Sequence, residues 1–384
     1  MSEYQYYEFQ AIDRPLTERE MGELRALSTR AEITATSFVN EYHYGDFRGD
    51  PHRLMEKYFD AFLYVANWGT HWHMLRLPRR LVDLPTARLY AVDECLTLHE
   101  HQDHVVIEFE VRDEDGGEWE EGEGQLGPLI PLRNDLMAGD LRALYLGWLA
   151  AVDWGGLDDD TAEPPVPLGL NQLTGSLQAL ANFLWIDPSL IAVAAEGAEG
   201  KAPAEPTAEA LAAWTAGLSP AEKNSLLLRL VQGEGAFLGL ELRRRFLEAQ
   251  AERRGRSPAS SARRTVAELR AARDRRAEEE SRRTAEKQVR EQARRAREKA
   301  EERARHLDSL VGNEAKLWKQ VETAIATKQA KQYDLAVKLL RDLAELGQRT
   351  GNHQAIAQRI RQIRQQHHGK WSFIRKLDNA GLPS

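Results

Sequence analysis

Short runs of aromatic and β-branched residues alternate with polar positions through the first third of the chain. Such period-2 patterns predict β-strands. They cover residues 4–12, 31–44, 71–77, 87–92, 95–101 and 104–112. The last two runs are separated by two residues and predict a hairpin. This part of the chain is therefore expected to form a sheet.

Two helices are predicted between these strands. Thr17 and Glu20 have the Thr-x-x-Glu form of a capping box, which opens a helix to about Leu27. Asp50-Pro51 supplies an N-cap residue and a proline at the first helical position. Apolar residues at helical spacing then predict that this second helix continues to Gly69.

Helical patterns dominate the rest of the chain. Between residues 261 and 310 almost every residue is Ala, Glu, Arg or Lys, which are strong helix formers. This segment lacks the Leu, Ile or Val seam of a coiled coil. We expect a long solvent-exposed charged helix, with a weak coiled coil along an alanine seam as the alternative. Fifty helical residues would span ~75 Å.

The predicted fold class is therefore α+β: a mixed α/β N-terminal head followed by a long charged α-helix and a small C-terminal helical bundle. The predicted domains are the head over residues 1–155, a helical subdomain with linkers over 170–254, the long charged helix over 261–310, and the C-terminal helical bundle over 311–384.

Charge divides the chain into two unlike parts. Residues 1–240 hold 17 Lys and Arg against 40 Asp and Glu, whereas residues 241–384 hold 35 against 20. An acidic head is repelled by nucleic acid, and a basic tail can bind nucleic acid or the acidic head of another copy. Self-association of this kind would weaken at high salt.

The single cysteine, Cys95, excludes an internal disulfide framework and a cysteine-based zinc site. Acidic neighbours at Asp93 and Glu94 disfavour its thiolate, so we expect a buried structural thiol. The N-terminus lacks the pattern of a signal peptide, and no run of 18 apolar residues predicts a membrane span. We therefore expect a cytoplasmic protein without membrane contact.

Histidines are the candidate metal ligands of the head. His71 and His73 lie two residues apart on one predicted strand, and His99 and His101 lie two apart near the predicted hairpin turn. Two such pairs on neighbouring strands could offer imidazoles to zinc. Zinc at these four histidines is therefore a candidate cofactor, and a polar outer face of the sheet is the alternative.

Basic residues of the tail are the candidate nucleic-acid contacts. The six arginines considered are Arg263, Arg264, Arg275, Arg276, Arg294 and Arg295. Arginine runs can neutralise phosphates. Residues 263–305 contain 16 basic and 10 acidic residues, however, and a dedicated nucleic-acid segment is usually more one-sided. Pairing of arginine with glutamate along an exposed helix is the alternative.

Two parts of the chain resemble known proteins. Residues 6–16 read Tyr-Tyr-Glu-Phe-Gln-Ala-Ile-Asp-Arg-Pro-Leu, and residues 36–38 and 45–51 follow with Thr-Ser-Phe and Gly-Asp-Phe-Arg-Gly-Asp-Pro. This pattern resembles a family of uncharacterised bacterial proteins. Residues 333–382, ending Lys-Leu-Asp-Asn-Ala-Gly-Leu, are similar to the helical C-terminus of bacterial proteins that carry a SWIM zinc finger. That finger requires paired cysteines, so it is absent here, and the resemblance implies only a bacterial multi-protein context.

The sequence contains no Gly-x-Ser-x-Gly, no His-Glu-x-x-His and no phosphate-binding loop. We therefore expect a non-enzymatic interaction or adaptor protein whose head and tail bind different protein partners. The first alternative is a metal-binding enzyme or sensor that uses the histidine-rich head. The second is a nucleic-acid-associated accessory protein that uses the basic tail.

Overall fold

One antiparallel sheet lies at the centre of the N-terminal part of the chain. The computed structural model describes residues 3–113, 121–197, 207–253 and 263–383. The strands are β1 (Gln5–Gln10), β2 (Glu32–Ile33), β3 (Ser37–Tyr42), β4 (Ala61–Ala66), β5 (Thr70–Pro78), β6 (Leu96–Glu100) and β7 (His104–Arg112). Their order across the sheet is β2-β3-β1-β4-β5-β7-β6. The predicted β6–β7 hairpin is confirmed.

The described residues also form a series of α-helices, numbered in chain order. They are α1 (Glu18–Leu27), α2 (Pro51–Lys57), α3 (Leu84–Ala87), α4 (Leu126–Leu129), α5 (Pro131–Met137), α6 (Arg142–Trp154), α7 (Gly175–Phe183), α8 (Pro188–Glu196), α9 (Ala208–Ala216), α10 (Pro220–Val231), α11 (Gly235–Arg253), α12 (Val266–Leu310), α13 (Glu314–Ala326), α14 (Ala330–Thr350) and α15 (His353–Gln366). A last helix, α16 (Trp371–Asn379), follows. The predicted α+β class is confirmed.

Both faces of the sheet are covered, and each has its own apolar core. Alternate side chains of a strand point to opposite faces. One face carries an aromatic core of residues such as Phe9, Phe38 and Phe62, packed under α1 and α2. The other face packs against α4 to α8 through residues such as Leu75 and Phe109. We call the first the aromatic face and the second the helix-covered face.

The predicted helix over 51–69 is wrong in its second half. α2 ends at Lys57, and Ala61–Ala66 is a central strand with every residue buried. This strand pairs with β1 on one side and β5 on the other. Its alternate side chains belong to the helix-covered core and to the aromatic core, so both of its faces are apolar. A continuous apolar run of this kind does not distinguish a buried strand from a helix by periodicity.

Two further strand predictions are corrected. The predicted strand over 31–44 is divided into β2 and β3 by a turn in which Thr34 Oγ1 accepts the backbone N–H of Ser37 at 3.0 Å. The predicted strand over 87–92 is a helical turn, because α3 and a following 3-10 turn occupy residues 84–90. Asp83 caps that turn, because its Oδ1 accepts the backbone N–H of Thr86 at 3.4 Å and its Oδ2 accepts the Thr86 hydroxyl at 2.6 Å.

The chain forms two compact units, Met1–Glu280 and Ser281–Ser384, and the division falls within α12. In the first unit, the start of α12 contributes Val266 and Leu269 to the helix-covered core. Arg264, just before the helix, donates to both oxygens of the buried Glu163 at 2.8 Å. The predicted long charged helix is confirmed, and residues 278–302 are exposed apart from Glu291.

The second unit contains the last four helices, which form the predicted C-terminal bundle. Each of these helices contributes to one apolar core, with residues such as Trp318, Leu340, Ile360 and Phe373. Asp342 on α14 is buried and forms ion pairs with Arg303 at 2.6 Å and His306 at 3.1 Å. These contacts attach the end of α12 to α14 within this unit.

Candidate metal centre

The β6–β7 hairpin brings a histidine and a carboxylate together on the aromatic face of the sheet. Thr97 lies opposite Glu108, and His99 lies opposite Val106. Side chains two residues apart share a face, so Thr97, His99 and Glu108 all point the same way. Glu108 Oε2 accepts the Thr97 hydroxyl at 3.0 Å and also contacts His99 Nε2.

Helix α2 places a second histidine above this pair. Asp50 caps the helix by accepting the backbone N–H of His52 at 3.0 Å, and Pro51 fits the first helical position. His52 Nε2 lies 3.8 Å from Glu108 Oε1, and the rings of His52 and His99 have centroids 4.9 Å apart. The ring of Trp72, on β5, lies next to that of His52, with ring centroids 5.4 Å apart.

His52, His99 and Glu108 therefore offer three ligand atoms within 4.8 Å of one another. We call these three residues the metal triad. Within the described ranges, no other three residues of His, Cys, Asp or Glu come this close. Glu108 has a side-chain exposure of 11%, against 38% for His52 and 42% for His99. Glu108 is the least exposed of the three, and the Thr97 hydroxyl that donates to its Oε2 fixes the carboxylate beside His99.

A surface cleft of about 470 Å³ opens beside the triad. Leu98 and Val106 supply apolar wall, and a second pair of titratable groups lies at its edge. In that pair His101 Nε2 is 3.4 Å from Glu56 Oε1. An ion held by the triad would thus border a cleft that also contains an imidazole and a carboxylate.

The structure does not bring the four histidines considered from the sequence into one site. His99 belongs to the triad, and His101 lies in the adjoining cleft. His71 and His73 point to the helix-covered face, where both are buried. His71 Nδ1 lies 2.7 Å from the Phe183 carbonyl oxygen, and His73 Nδ1 lies 2.8 Å from that of Phe62.

Sequence reasoning missed two members of the triad. The sequence could have identified Glu108, because the predicted hairpin over 95–101 and 104–112 places it on the same face as His99. The sequence could not have identified His52, since nothing in the local pattern of α2 shows where that helix crosses the sheet. The helix-start signal at Asp50 placed His52 in its first turn without indicating a partner.

Cys95 is a buried free thiol, as expected. Burial, together with the charge of Glu110, raises its pKa to about 12. Its sulfur lies 3.6 Å from the carbonyl oxygen of Gly147. A thiol in this state is a poor nucleophile and a poor metal ligand.

Four of the six arginines considered as nucleic-acid contacts have acidic partners. Arg264 is engaged with Glu163, and Arg276 pairs with Glu196 and Glu280, both at 3.1 Å. Arg294 lies 3.6 Å from Glu298, and Arg295 lies 2.6 Å from Glu291. The remaining two, Arg263 and Arg275, are exposed. The pairs of Arg276 with Glu280, Arg294 with Glu298 and Arg295 with Glu291 lie along α12, as the alternative of paired charges describes.

Comparisons with protein-family models, with curated proteins and with solved structures found no match to this chain. In the portion of the chain that the structure describes, no helix has both the length and the apolar character needed to cross a membrane.

Proposed function

We propose that the sheet-bearing unit binds a divalent transition-metal ion through His52, His99 and Glu108. The observation that supports this proposal is the convergence of the three side chains from α2, β6 and β7 within 4.8 Å. His52 lies on α2, outside the hairpin that pairs His99 with Glu108, so local periodicity does not bring all three residues together. The partly exposed imidazoles beside a largely buried carboxylate leave the ion accessible from the cleft.

The donor set favours some metals over others. Two imidazoles and one carboxylate suit zinc, iron(II), cobalt(II) or nickel(II), whereas magnesium and calcium prefer oxygen ligands only. Three protein ligands leave at least one coordination position for water or a ligand, as in catalytic rather than structural zinc sites. A metal-dependent enzyme or a metal sensor is therefore the proposed class.

Zinc titration of the full-length protein by isothermal calorimetry tests the proposal, with cobalt(II) absorption as a second readout. Protein stripped with chelator should bind one ion per chain. His99→Ala and Glu108→Gln should each weaken binding by at least about tenfold, because each removes a ligand. His43→Ala is the matched control, since His43 lies 2.8 Å from Glu41 at the surface and is outside the triad.

A stoichiometry near zero for the wild-type protein would contradict the proposal. Equal affinity in the wild type, His99→Ala and Glu108→Gln would also contradict it, since zinc would then bind elsewhere. Loss of zinc binding in His43→Ala alone would show that zinc binds at another part of the sheet. Circular dichroism of each variant confirms that it is folded.

An interaction protein is the second candidate, and one surface favours it. Leu227, Leu228, Leu230 and Val231 on α10 are between 52% and 84% exposed. Exposed apolar patches commonly mark protein contacts. We accordingly retain a role as a bacterial, cytoplasmic adaptor as the alternative, which the resemblance of residues 6–16 supports. Pull-down from the host should lose partners in a Leu228→Lys, Val231→Lys variant, and unchanged recovery of every partner would argue against this face.

A further inference from the structure

The last two helices carry the most one-sided charge of the second unit. Residues 311–384 contain 13 Lys and Arg against 6 Asp and Glu. Residues 353–384, which form α15 and α16, contain 6 against 1, and the one acidic residue is Asp378. None of these basic residues is among the six arginines considered from the sequence. A surface of this composition attracts polyanions.

The spacing of side chains divides each of these helices into a buried and an exposed side. Ile360 and Ile363 of α15 and Phe373 of α16 are buried in the core of the unit. Residues three or four positions apart lie on the same side of a helix. Arg361 and Arg364 therefore share one side of α15. By the same rule, Trp371, Arg375 and Asp378 share one side of α16.

An ion pair brings these two sides together. Arg364 Nη1 on α15 lies 2.6 Å from Asp378 Oδ1 on α16. Because Arg361 shares a side with Arg364, and Trp371 shares a side with Asp378, the arginines and the indole lie on one stretch of the surface. We call it the basic–aromatic surface, and its residues are Arg361, Arg364, Trp371, Arg375 and Asp378.

The positive charge of this surface is only partly compensated. Asp378 is engaged with Arg364. Arg361 and Arg375 are exposed, and neither forms an ion pair with any residue that the structure describes. The surface therefore presents two guanidinium groups without a carboxylate partner. Guanidinium groups match the geometry of phosphate oxygens, to which they donate two parallel hydrogen bonds.

Trp371 is exposed in a way that packing of the bundle does not explain. It is 70% exposed, whereas Trp318 in the same unit is 6% exposed. The Arg375 guanidinium carbon lies 4.8 Å from the centre of the Trp371 ring and covers one of its faces. At 70% exposure the opposite face is open to solvent. An open indole face backed by a cation is a platform on which a flat ring can stack.

We propose that the basic–aromatic surface binds single-stranded nucleic acid, with a base stacked on Trp371 and phosphates bound by Arg361 and Arg375. Proteins that hold single strands without sequence preference combine a stacking aromatic side chain with basic groups along the path of the backbone. A duplex keeps its bases stacked on one another and leaves the indole unused. The inference does not depend on the metal proposal, because the metal triad lies in the first unit and this surface lies in the second.

The test compares a short oligothymidylate with an abasic strand of the same length. Binding of each fluorescently labelled strand to full-length protein is followed by anisotropy at low salt, with chelator present so that no metal ion contributes. The two strands carry the same phosphates and differ only in their bases. The oligothymidylate should bind at least about fivefold more tightly, because stacking of one base on an aromatic ring gives a gain of this size or larger.

Variants separate the stacking contribution from the phosphate contacts. Trp371→Ala should weaken binding of the oligothymidylate at least about fivefold and leave binding of the abasic strand unchanged. Arg361→Gln should weaken binding of both strands by a similar factor. It should also reduce the slope of log affinity against log salt concentration by about 0.7, since one phosphate contact is lost. Circular dichroism of each variant confirms that it is folded.

Two matched controls lie in the first unit. Trp68→Ala removes a tryptophan that is 44% exposed, and Arg275→Gln removes an exposed arginine of α12. Both variants should bind the oligothymidylate as the wild type does. Weaker binding in Arg275→Gln together with unchanged binding in Arg361→Gln would place the strand along α12 and overturn the assignment.

Three other results would overturn the proposal. The first is the absence of binding to the oligothymidylate at low salt. The second is equal affinity of the wild type for the oligothymidylate and the abasic strand, since the bases would then make no contact. The third is equal or tighter binding of a polyglutamate peptide, which would identify an acidic polypeptide as the ligand.

Discussion

His73 provides the sharpest prediction of pH-dependent stability. Its side chain is fully buried on the helix-covered face, near Phe109 and Phe183. Its Nδ1–H donates to the Phe62 carbonyl at 2.8 Å, while Nε2 lacks a hydrogen-bond partner among the described residues. Burial lowers the pKa of His73 to about 4, because a charged imidazolium would lose its hydration there.

The sign and size of the effect follow from linkage. The unfolded chain binds a proton at this residue below a pKa of ~6.5, whereas the folded chain resists protonation until about pH 4. A lowered pKa in the folded state stabilises the protein above the unfolded pKa, and this stability falls as pH decreases through that window. Between pH 7 and pH 5 the free energy of unfolding should fall by roughly 2 kcal/mol from His73 alone.

Urea unfolding of wild type and His73→Asn at pH 7 and pH 5 measures this contribution. Seven of the nine tryptophans lie in residues 1–280, so tryptophan fluorescence follows the unit that contains His73. Asparagine keeps a donor near the Nδ1 position but does not titrate. Between the two pH values the free energy of unfolding of His73→Asn should therefore fall by roughly 2 kcal/mol less than that of the wild type. The difference between the proteins isolates His73 from the other titrating groups.

Equal losses of stability in wild type and His73→Asn would refute the assignment of a neutral buried imidazole. The variant should also keep its zinc stoichiometry, because His73 lies on the face opposite the metal triad. Loss of zinc together with unchanged stability would show that His73 acts as a ligand rather than as part of the core.

Two further ion pairs give predictions on stability. Arg264→Ala leaves Glu163 buried without its bidentate partner and should lower the free energy of unfolding by about 3 kcal/mol, as measured by urea unfolding. The control Arg275→Ala removes an exposed arginine and should change the free energy of unfolding little. Asp342→Asn removes the charge that holds Arg303 and should lower stability by ~1–3 kcal/mol. Faster hydrogen exchange confined to peptides of residues 303–379 would verify the second effect, and unchanged exchange would contradict it.

Local signals predicted elements well where capping or alternation was unambiguous. The Thr17–Glu20 capping box opens α1 in the structure, because it satisfies backbone donors reciprocally. The residues of β7 alternate as their sequence predicts. The pattern of β4 alone favours a helix, because both of its faces are buried in apolar cores and no polar position marks a period of two.

The position of the candidate site depended on strand register. In antiparallel pairing, the histidines of β5 lie opposite odd-numbered residues of β7: His71 faces Val111 and His73 faces Phe109. In the β6–β7 hairpin, His99 lies opposite the even-numbered Val106. Adjacent residues of β7 point to opposite faces, so the two histidine pairs must do so as well.

The same register explains why the metal triad forms where it does. A short hairpin fixes the pairing of β6 with β7 by its loop, so the shared face of His99 and Glu108 follows from local sequence. The pairing of β5 with β7 joins segments about 30 residues apart, and no local turn determines it. Had that pairing shifted by one residue, His71 and His73 would have joined His99 on the aromatic face. Leu75 and Leu77, which share a face with these histidines, would then have left the helix-covered core. The hydrophobic pattern of β5 therefore excludes a four-histidine site and leaves the third ligand to come from α2, where His52 lies.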